Sequence, residues 1–409
     1  MAAVSIATLT GESGILTQAN SAKEKVEFAE EKEAISVAYS GCLAENKERN
    51  VSSKALESEL INNGYSASVS GGKTLKVTFT DSGNIYMITQ NGNISKYEQT
   101  PTTAVYAKLY TDGTLILSSY DYTDESKTLE ENGDFGEIKD KEMYDGFSES
   151  NSYYSSADFS GKVNKILIYD KIAPISTDYY FENLSNLTEI QNINNFNTSN
   201  VTSMRGMFSC CSSLNRIDVK NFDTSTVTDM TSMFLGCSGL SNVDVSNFDT
   251  NKVASMNGMF GDCSNLDNID LSYFNTSVLT DMGAMFAGCT SLTSINFGDW
   301  NTSNVQDMTW MFTACTDLTT IDLSCFEVNN LKWCDHMFWS CTKLETIIVD
   351  KDKWNATNMV NVDEGYQMFL DCTSLVGDKG TTYNASYVDR TYAHIDEGAE
   401  NPGYLTSKK

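Results

Sequence analysis

Histidine is nearly absent: His336 and His394 are the only two in 409 residues, and only Pro101, Pro174 and Pro402 interrupt the backbone. So few imidazoles leave little for acid–base catalysis near neutral pH. The chain also lacks a Ser-His-Asp order, a glycine-rich phosphate loop and an HExxH helix, and no catalytic residue is expected. Basic residues are scarce as well, 28 Lys and Arg against 55 Asp and Glu, for a formal charge of −27. Residues 181–409 carry more than half of it, with 12 basic and 28 acidic side chains. Such a surface repels phosphate backbones and anionic lipid heads, which argues against nucleic acid and membrane surfaces as partners. No run approaches the roughly 20 apolar residues that cross a bilayer. The apolar start, Met1 to Leu9, is short and lacks the basic residues of a signal peptide. It reads as the last turns of an apolar helix lying further upstream, the one route by which membrane attachment is expected. With no Cys-x-x-Cys spacing and so little histidine, neither a metal site nor a cofactor is expected.

What the chain has instead is repetition. Phe208, Phe234, Phe260, Phe286, Phe312 and Phe338 recur every 26 residues. Three residues after each stands Cys211, Cys237, Cys263, Cys289, Cys315 or Cys341, and six after each stands Leu214, Leu240, Leu266, Leu292, Leu318 or Leu344. A further copy, Met368-Phe369-x-x-Cys372-x-x-Leu375, follows a five-residue insertion, and an imperfect earlier copy runs from Asn183 to Asn200. Within each unit, segments such as Ile217-Asp-Val219 and Ile269-Asp-Leu271 alternate with period two, the pattern of a short strand. An aromatic column follows (Phe222, Phe248, Phe274, Trp300, Phe326), then Asp/Asn-Thr-Ser/Asn turns, then a return leg such as Val227/Met230/Met233. One coil alone buries little; stacked coils share a continuous interior.

This pattern resembles the BspA-like leucine-rich-repeat surface proteins of bacteria. The resemblance covers about residues 181–376, and the segment from Leu375 to Leu405 looks like the closing segment of such arrays. It implies a secreted or wall-displayed protein engaged in adhesion or host contact, and it brings no catalytic residues.

The N-terminal hundred residues read differently. From Ile15 to about Lys47 the chain is rich in Ala, Glu and Lys, and Ala19, Ala22, Val26, Ala29 and Val37 recur near the helical period. A second helix around 54–62 ends at Asn63-Gly64. Strands are expected at 66–70, 74–80, 85–89 and 93–97, joined by hairpin residues such as Asn91-Gly92. One long helix followed by an antiparallel meander is similar to type IV pilins. The segment Ile6-Ala-x-Leu9-Thr-Gly-Glu-x-Gly14-Ile-Leu-Thr-x-Ala19-x-x-Ala22-Lys23 resembles the stretch after the apolar helix in Gram-positive members. The residues by themselves also fit a plain helix-plus-sheet cap. The expected architecture is therefore an α+β pilin-like domain over 1–99, a β-rich N-terminal cap of the solenoid over 100–180, a solenoid of 26-residue coils over 181–376 and a C-terminal cap over 377–409. A hairpin at 105–119 and a strand at Lys165–Tyr169 are expected in the second segment.

Three groups of side chains are candidates for chemistry. The column of cysteines invites disulfides, since rungs about 4.8 Å apart fall within the Cα range of a disulfide. An odd ladder cannot pair fully, however, and buried free thiols fit better; a bridge involving Cys325 and Cys334 stays open. Asp218, Asp244, Asp270 and Asp322 lie between the inward residues of successive strands, so they line the exposed strand face. There they either attract a cation or basic partner or simply bond neighbouring turns. Trp310, Trp333 and Trp339, with His336 one coil after Trp310, replace small or polar residues of other repeats. They form either an exposed patch for a sugar or protein or a packing surface for the C-terminal cap. The expected function is a surface-displayed, extracellular adhesin or pilus-associated subunit that binds a host protein or glycan. The alternative is a structural pilin or pseudopilin subunit whose repeats pack against other pilin subunits.

Overall fold

The structure, a computed structural model, describes residues 15–45, 51–71, 75–80, 84–88, 93–96, 105–119, 122, 124, 126–138, 161–354 and 366–408. The chain divides into two units, Met1–Thr100 and Pro101–Lys409.

In the first unit, helix α1 (Ile15–Glu45) and helix α2 (Ser53–Asn62) precede strands β1 (Ala67–Gly71), β2 (Leu75–Phe79), β3 (Ile85–Ile88) and β4 (Ile94–Lys96). The strands form an antiparallel meander in sequence order. The hydroxyl of Ser52 accepts the amide of Ala55 at 3.2 Å and so caps α2. The buried stripe of α1 is Ala34, Ile35, Ala38, Tyr39 and Cys42, which joins Leu56, Leu60, Val77, Phe79 and Tyr86 in one core. This corrects the stripe expected from sequence. Ala29 is exposed and Val37 is 58% exposed, while the side chains of Ala19, Ala22 and Val26 lie outside the described set. Glu31 rides on the buried stripe because the Tyr86 hydroxyl, at 2.6 Å, and the Asn84 amide, at 2.8 Å, both donate to its carboxylate.

The second unit opens with strands β5 (Val105–Tyr110), β6 (Thr114–Ser118) and β7 (Leu129–Ile138), which pair antiparallel. Strand β6 then pairs in parallel with β8 (Lys165–Ile168), and β8 with β9 (Glu189–Gln191). Parallel rungs therefore begin before residue 181, with the hairpin closing the N-terminal end of the stack. The rungs continue as β10 (Asn268–Asp270) with β11 (Ser294–Asn296), and as β12 (Thr320–Asp322), β13 (Thr346–Val349) and β14 (Leu405–Ser407). The coils at 215–219 and 241–245 follow the same path without a paired strand. Period-two alternation in those coils thus marks burial rather than pairing.

Three inter-coil devices hold the stack together. Rings of the phenylalanine column from Phe208 to Phe369 stack at 5.4–5.9 Å, with planes within 12° of parallel. Buried Thr198, Thr224, Thr250, Thr276 and Thr302 each donate to a carbonyl in the next coil at 2.9–3.1 Å. The last four also accept an amide from that coil at 2.6–2.9 Å. On the return leg, Ser203, Asp229, Ser255, Asp281, Asp307 and Trp333 form successive parallel bridges. Beyond them, the amides of Met204, Gly206, Phe208 and Cys210 donate to carbonyls one coil on at 2.6–2.9 Å. At the C-terminal end, Tyr404 closes the phenylalanine column edge-on to Phe369 at 5.4 Å, and the indole of Trp354 donates to the carbonyl of Ala393 at 3.0 Å. Trp300 and Trp354 are both buried.

Candidate functional site

The cysteine column is structural. None of the eleven cysteines is bridged in a disulfide. Each repeat thiol, from Cys211 to Cys372, donates to the carbonyl of the phenylalanine one coil earlier at 2.9–3.2 Å. Burial pushes the thiols of Cys237, Cys289 and Cys341 up to about 12, so they stay protonated and poorly nucleophilic. Cys334 takes the place held by Met308 one coil before, which explains its burial.

The acidic column lies on the exposed strand face, as alternation requires. Its carboxylates are occupied locally. Asp218, Asp244, Asp270 and Asp322 each accept the amide two residues on at 2.8–3.1 Å. Asn296 accepts the amide of Gly298 in the same way at 3.2 Å, so the turn needs an oxygen and not a charge. Hydrogen bonds from Ser246 and Ser272 hold Asp244 and Asp270 below the usual carboxylate range. Repulsion along the column is relieved by Lys220 beside Asp244 at 3.4 Å, Lys408 beside Asp322 at 3.8 Å and Asn296 donating to Asp270 at 2.9 Å. Among the described residues no group of His, Cys, Asp or Glu is arranged to hold a metal ion.

The aromatic residues behave differently, and backbone geometry explains their placement. Two residues before each column phenylalanine the chain turns through a left-handed conformation: Gly206, Ser232, Gly258, Ala284, Trp310, His336 and Gln367 all have φ between 51° and 61°. In that region an L side chain costs about 1–2 kcal/mol, so glycine is the favoured occupant and tryptophan a strained one. Trp310 is nevertheless there and 50% exposed, with Trp339 38% and Tyr366 60% exposed. His336 lies between them, its ring 6.2 Å from Trp310, 5.3 Å from Trp339 and 5.6 Å from Tyr366. The Nε2 of His336 meets the Gln367 carbonyl oxygen at 3.2 Å, and the Gln367 amide donates to the Tyr366 hydroxyl at 3.0 Å. The Nδ1 of His336 is buried without a hydrogen-bond partner. Asp335 binds the cluster from below: its carbonyl accepts the amide of Trp310 at 2.9 Å and its carboxylate the amide of Tyr366 at 2.6 Å.

Of the four residues expected here, three converge and one stands apart. Trp333 belongs to the bridge ladder, paired with Asp307, and its ring is approached by the Lys332 ammonium at 5.7 Å. Among the described residues no ring–ring contact joins Trp310, Trp333 or Trp339 to an aromatic side chain of the C-terminal cap. Tyr366, Gln367 and Asp335 were not singled out from sequence. Counting back from Phe369 places Gln367 at the left-handed position and Tyr366 just before it, but the five-residue insertion hides that register.

A second surface feature is a shallow cleft of about 1040 Å³ on the strand face, where the coils run unpaired; Glu189, Arg216, Ile217, Asp218, Lys220 and Asp244 are among its lining residues. Its charges alternate in sign and its apolar members are buried or half-buried, so it presents no concentrated recognition chemistry.

The profile of a family described as "Mycoplasma protein of unknown function, DUF285" matches residues 175–294 and again 255–383, together just over half of the chain. The chain belongs to that family. Two overlapping matches on one array agree with the stacked, interchangeable coils of this DUF285 protein. Among solved structures it is similar to a leucine-rich repeat protein from Eubacterium ventriosum at 12% identity, over 65% of this chain and 88% of that one, with a TM-score of 0.19. At that score the likeness carries no weight, and the leucine-rich-repeat character rests on the chain's own coils. No curated protein matches. Nothing in the comparisons supports the resemblance of residues 1–99 to type IV pilins.

Proposed function

We propose that the chain is a non-enzymatic binding protein displayed outside the cell, whose repeat head presents the Trp310–His336–Trp339–Tyr366 cluster to a host protein or glycan. In this reading the N-terminal helix and meander serve as a pilin-like base that joins the head to the cell surface or a pilus. The observation that carries the proposal is the cluster itself. Large rings held half-exposed on adjacent coils, one of them in a strained backbone conformation, add little to the core, whereas exposed aromatic groups supply most of the energy at docking surfaces. The rest of the solenoid surface is acidic and polar, which keeps such a head soluble.

The test uses the full chain on arrays of glycans and extracellular host proteins, beside a Trp310→Gly/Trp339→Thr double variant. Glycine is what Gly206 and Gly258 supply at the first position, and threonine is what Thr313 supplies at the second. The variant therefore keeps the fold. A ligand bound by the wild type should lose about tenfold or more in affinity, as for removal of a central aromatic anchor. A ligand retained in full by the double variant contradicts the assignment.

A further inference from the structure

We infer that the aromatic cluster receives a basic segment of a partner protein, with a lysine or arginine side chain seated on the exposed indoles of Trp310 and Trp339. The inference rests on the cluster being the docking site and adds the chemistry of what docks. Three observations lead to it. First, the repeat region that carries the cluster is strongly acidic, 12 basic against 28 acidic side chains over residues 181–409, so a positively charged partner is drawn toward it and an acidic one is turned away. Second, the surface already holds one such pair: the Lys332 ammonium lies 5.7 Å from the Trp333 ring centroid, anchored by the Gln306 side chain at 2.7 Å. Indole is the best aromatic acceptor for a cation, and the Trp310 and Trp339 rings offer the same acceptor with, among the described residues, no ammonium over them. Third, the side-chain amide of the cluster is already engaged inside it. Gln367 bonds both His336 and Tyr366, and the unpartnered Nδ1 of His336 is buried away from any ligand.

The charges around the cluster fit this chemistry. Asp335 underlies Trp310 and Tyr366, and Asp307 lies three residues before Trp310. Both fields reach the neighbouring Cys334 thiol, where burial is the dominant influence and the Arg390 guanidinium of the C-terminal cap opposes the two carboxylates. Of the cations nearby, Lys332 is committed to Trp333 and Gln306, and Arg390 is half-buried. Asp307 Oδ1 accepts the amide of Thr309 at 2.8 Å, a turn that Asn301 makes equally well with Ser303 at 3.0 Å.

The experiment titrates the full chain with a lysine- and arginine-rich decapeptide, the same peptide with lysine acetylated and arginine replaced by citrulline, and a neutral oligosaccharide, following tryptophan fluorescence and heat of binding. The basic peptide should perturb the fluorescence and bind, the neutralised peptide should bind at least about tenfold more weakly, and added salt should weaken the complex. Trp310→Gly should lower affinity for the basic peptide about tenfold, and Asp307→Asn with Asp335→Asn about threefold or more, with thermal melts unchanged. Basic-peptide binding indifferent to Trp310→Gly would reduce the effect to general attraction by an acidic surface and overturn the inference. Binding of the oligosaccharide alone, lost in Trp310→Gly, would overturn the cationic ligand while leaving the docking site in place. Failure of both probes overturns the inference as well, and the array experiment then decides separately whether the cluster docks anything.

Discussion

Trp310 combines a strained backbone with a half-exposed ring. Its left-handed backbone places a large ring where Gly206 and Gly258 do the same work without strain. Replacing it with glycine removes about 1–2 kcal/mol of that strain and adds roughly 0.5–1 kcal/mol of unfolded-state entropy. Trp310→Gly is therefore expected to be neutral or slightly stabilising in urea melts, and a loss of more than about 1 kcal/mol would show the ring to be a packing residue. Sequence spacing was enough to see that Trp310 and His336 share a repeat position, and that three tryptophans are out of character with their coils. It could not separate Trp333, because the 26-residue column of Ser203, Asp229, Ser255, Asp281 and Asp307 that it continues does not show in sequence that it forms a bridge ladder. Cysteine offers an independent check. Cys210 is exposed whereas Cys237, Cys289 and Cys341 are buried and raised to about 12. Alkylation of the native protein at pH 7 followed by mass spectrometry should label Cys210 first and the ladder thiols only after unfolding. Disulfide-linked peptides within the ladder would contradict the free-thiol account.

At the scale of elements, each column contributes through its neighbours in the next coil. Phe260 is stacked between Phe234 and Phe286, and its carbonyl receives the thiol of Cys289. Phe260→Ala should cost about 3–5 kcal/mol in equilibrium unfolding; a cost below 1 kcal/mol would mean the column is not a packed core. The C-terminal cap depends on one carboxylate. Burial alone would raise Asp396, but the amides and hydroxyl of Thr381 and the amides of Gly398 and Lys379 more than offset it and bring the group down to about 2. A carboxyl lowered in the folded state contributes stability above its ordinary value near 3.8 and loses it as pH falls toward 2. Asp396→Asn should therefore destabilise the protein at pH 7, and the difference from wild type should shrink between pH 4 and 2. A difference that is constant with pH would contradict that role. Helix α1 shows where periodic reading fails. Alanines and valines at helical spacing suggested one stripe, yet the core takes Ala34, Ile35, Ala38, Tyr39 and Cys42. Alanine is small enough to sit on either face, so its spacing alone does not locate the buried side.

At the scale of the molecule, the chain is two units of different character, one built on local helix and hairpin contacts and one on a translational repeat. The repeat was legible because 26-residue spacing of Phe, Cys and Leu has a single physical use: equivalent side chains stacked into columns. The strand rungs were less so, because coils 215–219 and 241–245 keep the alternation of their neighbours while lacking their pairing. The most direct test of a shared interior is a thermal melt, followed by tryptophan emission, of a protein lacking residues 255–280, one full 26-residue period. The cut joins Ala254 to Asp281, sets Phe286 on Phe234 and leaves all five tryptophans in place. A single cooperative transition a few degrees below wild type, with native emission beforehand, is the expected result. Loss of the transition, or emission like that of the unfolded chain at low temperature, would show that the coils are not interchangeable layers of one core.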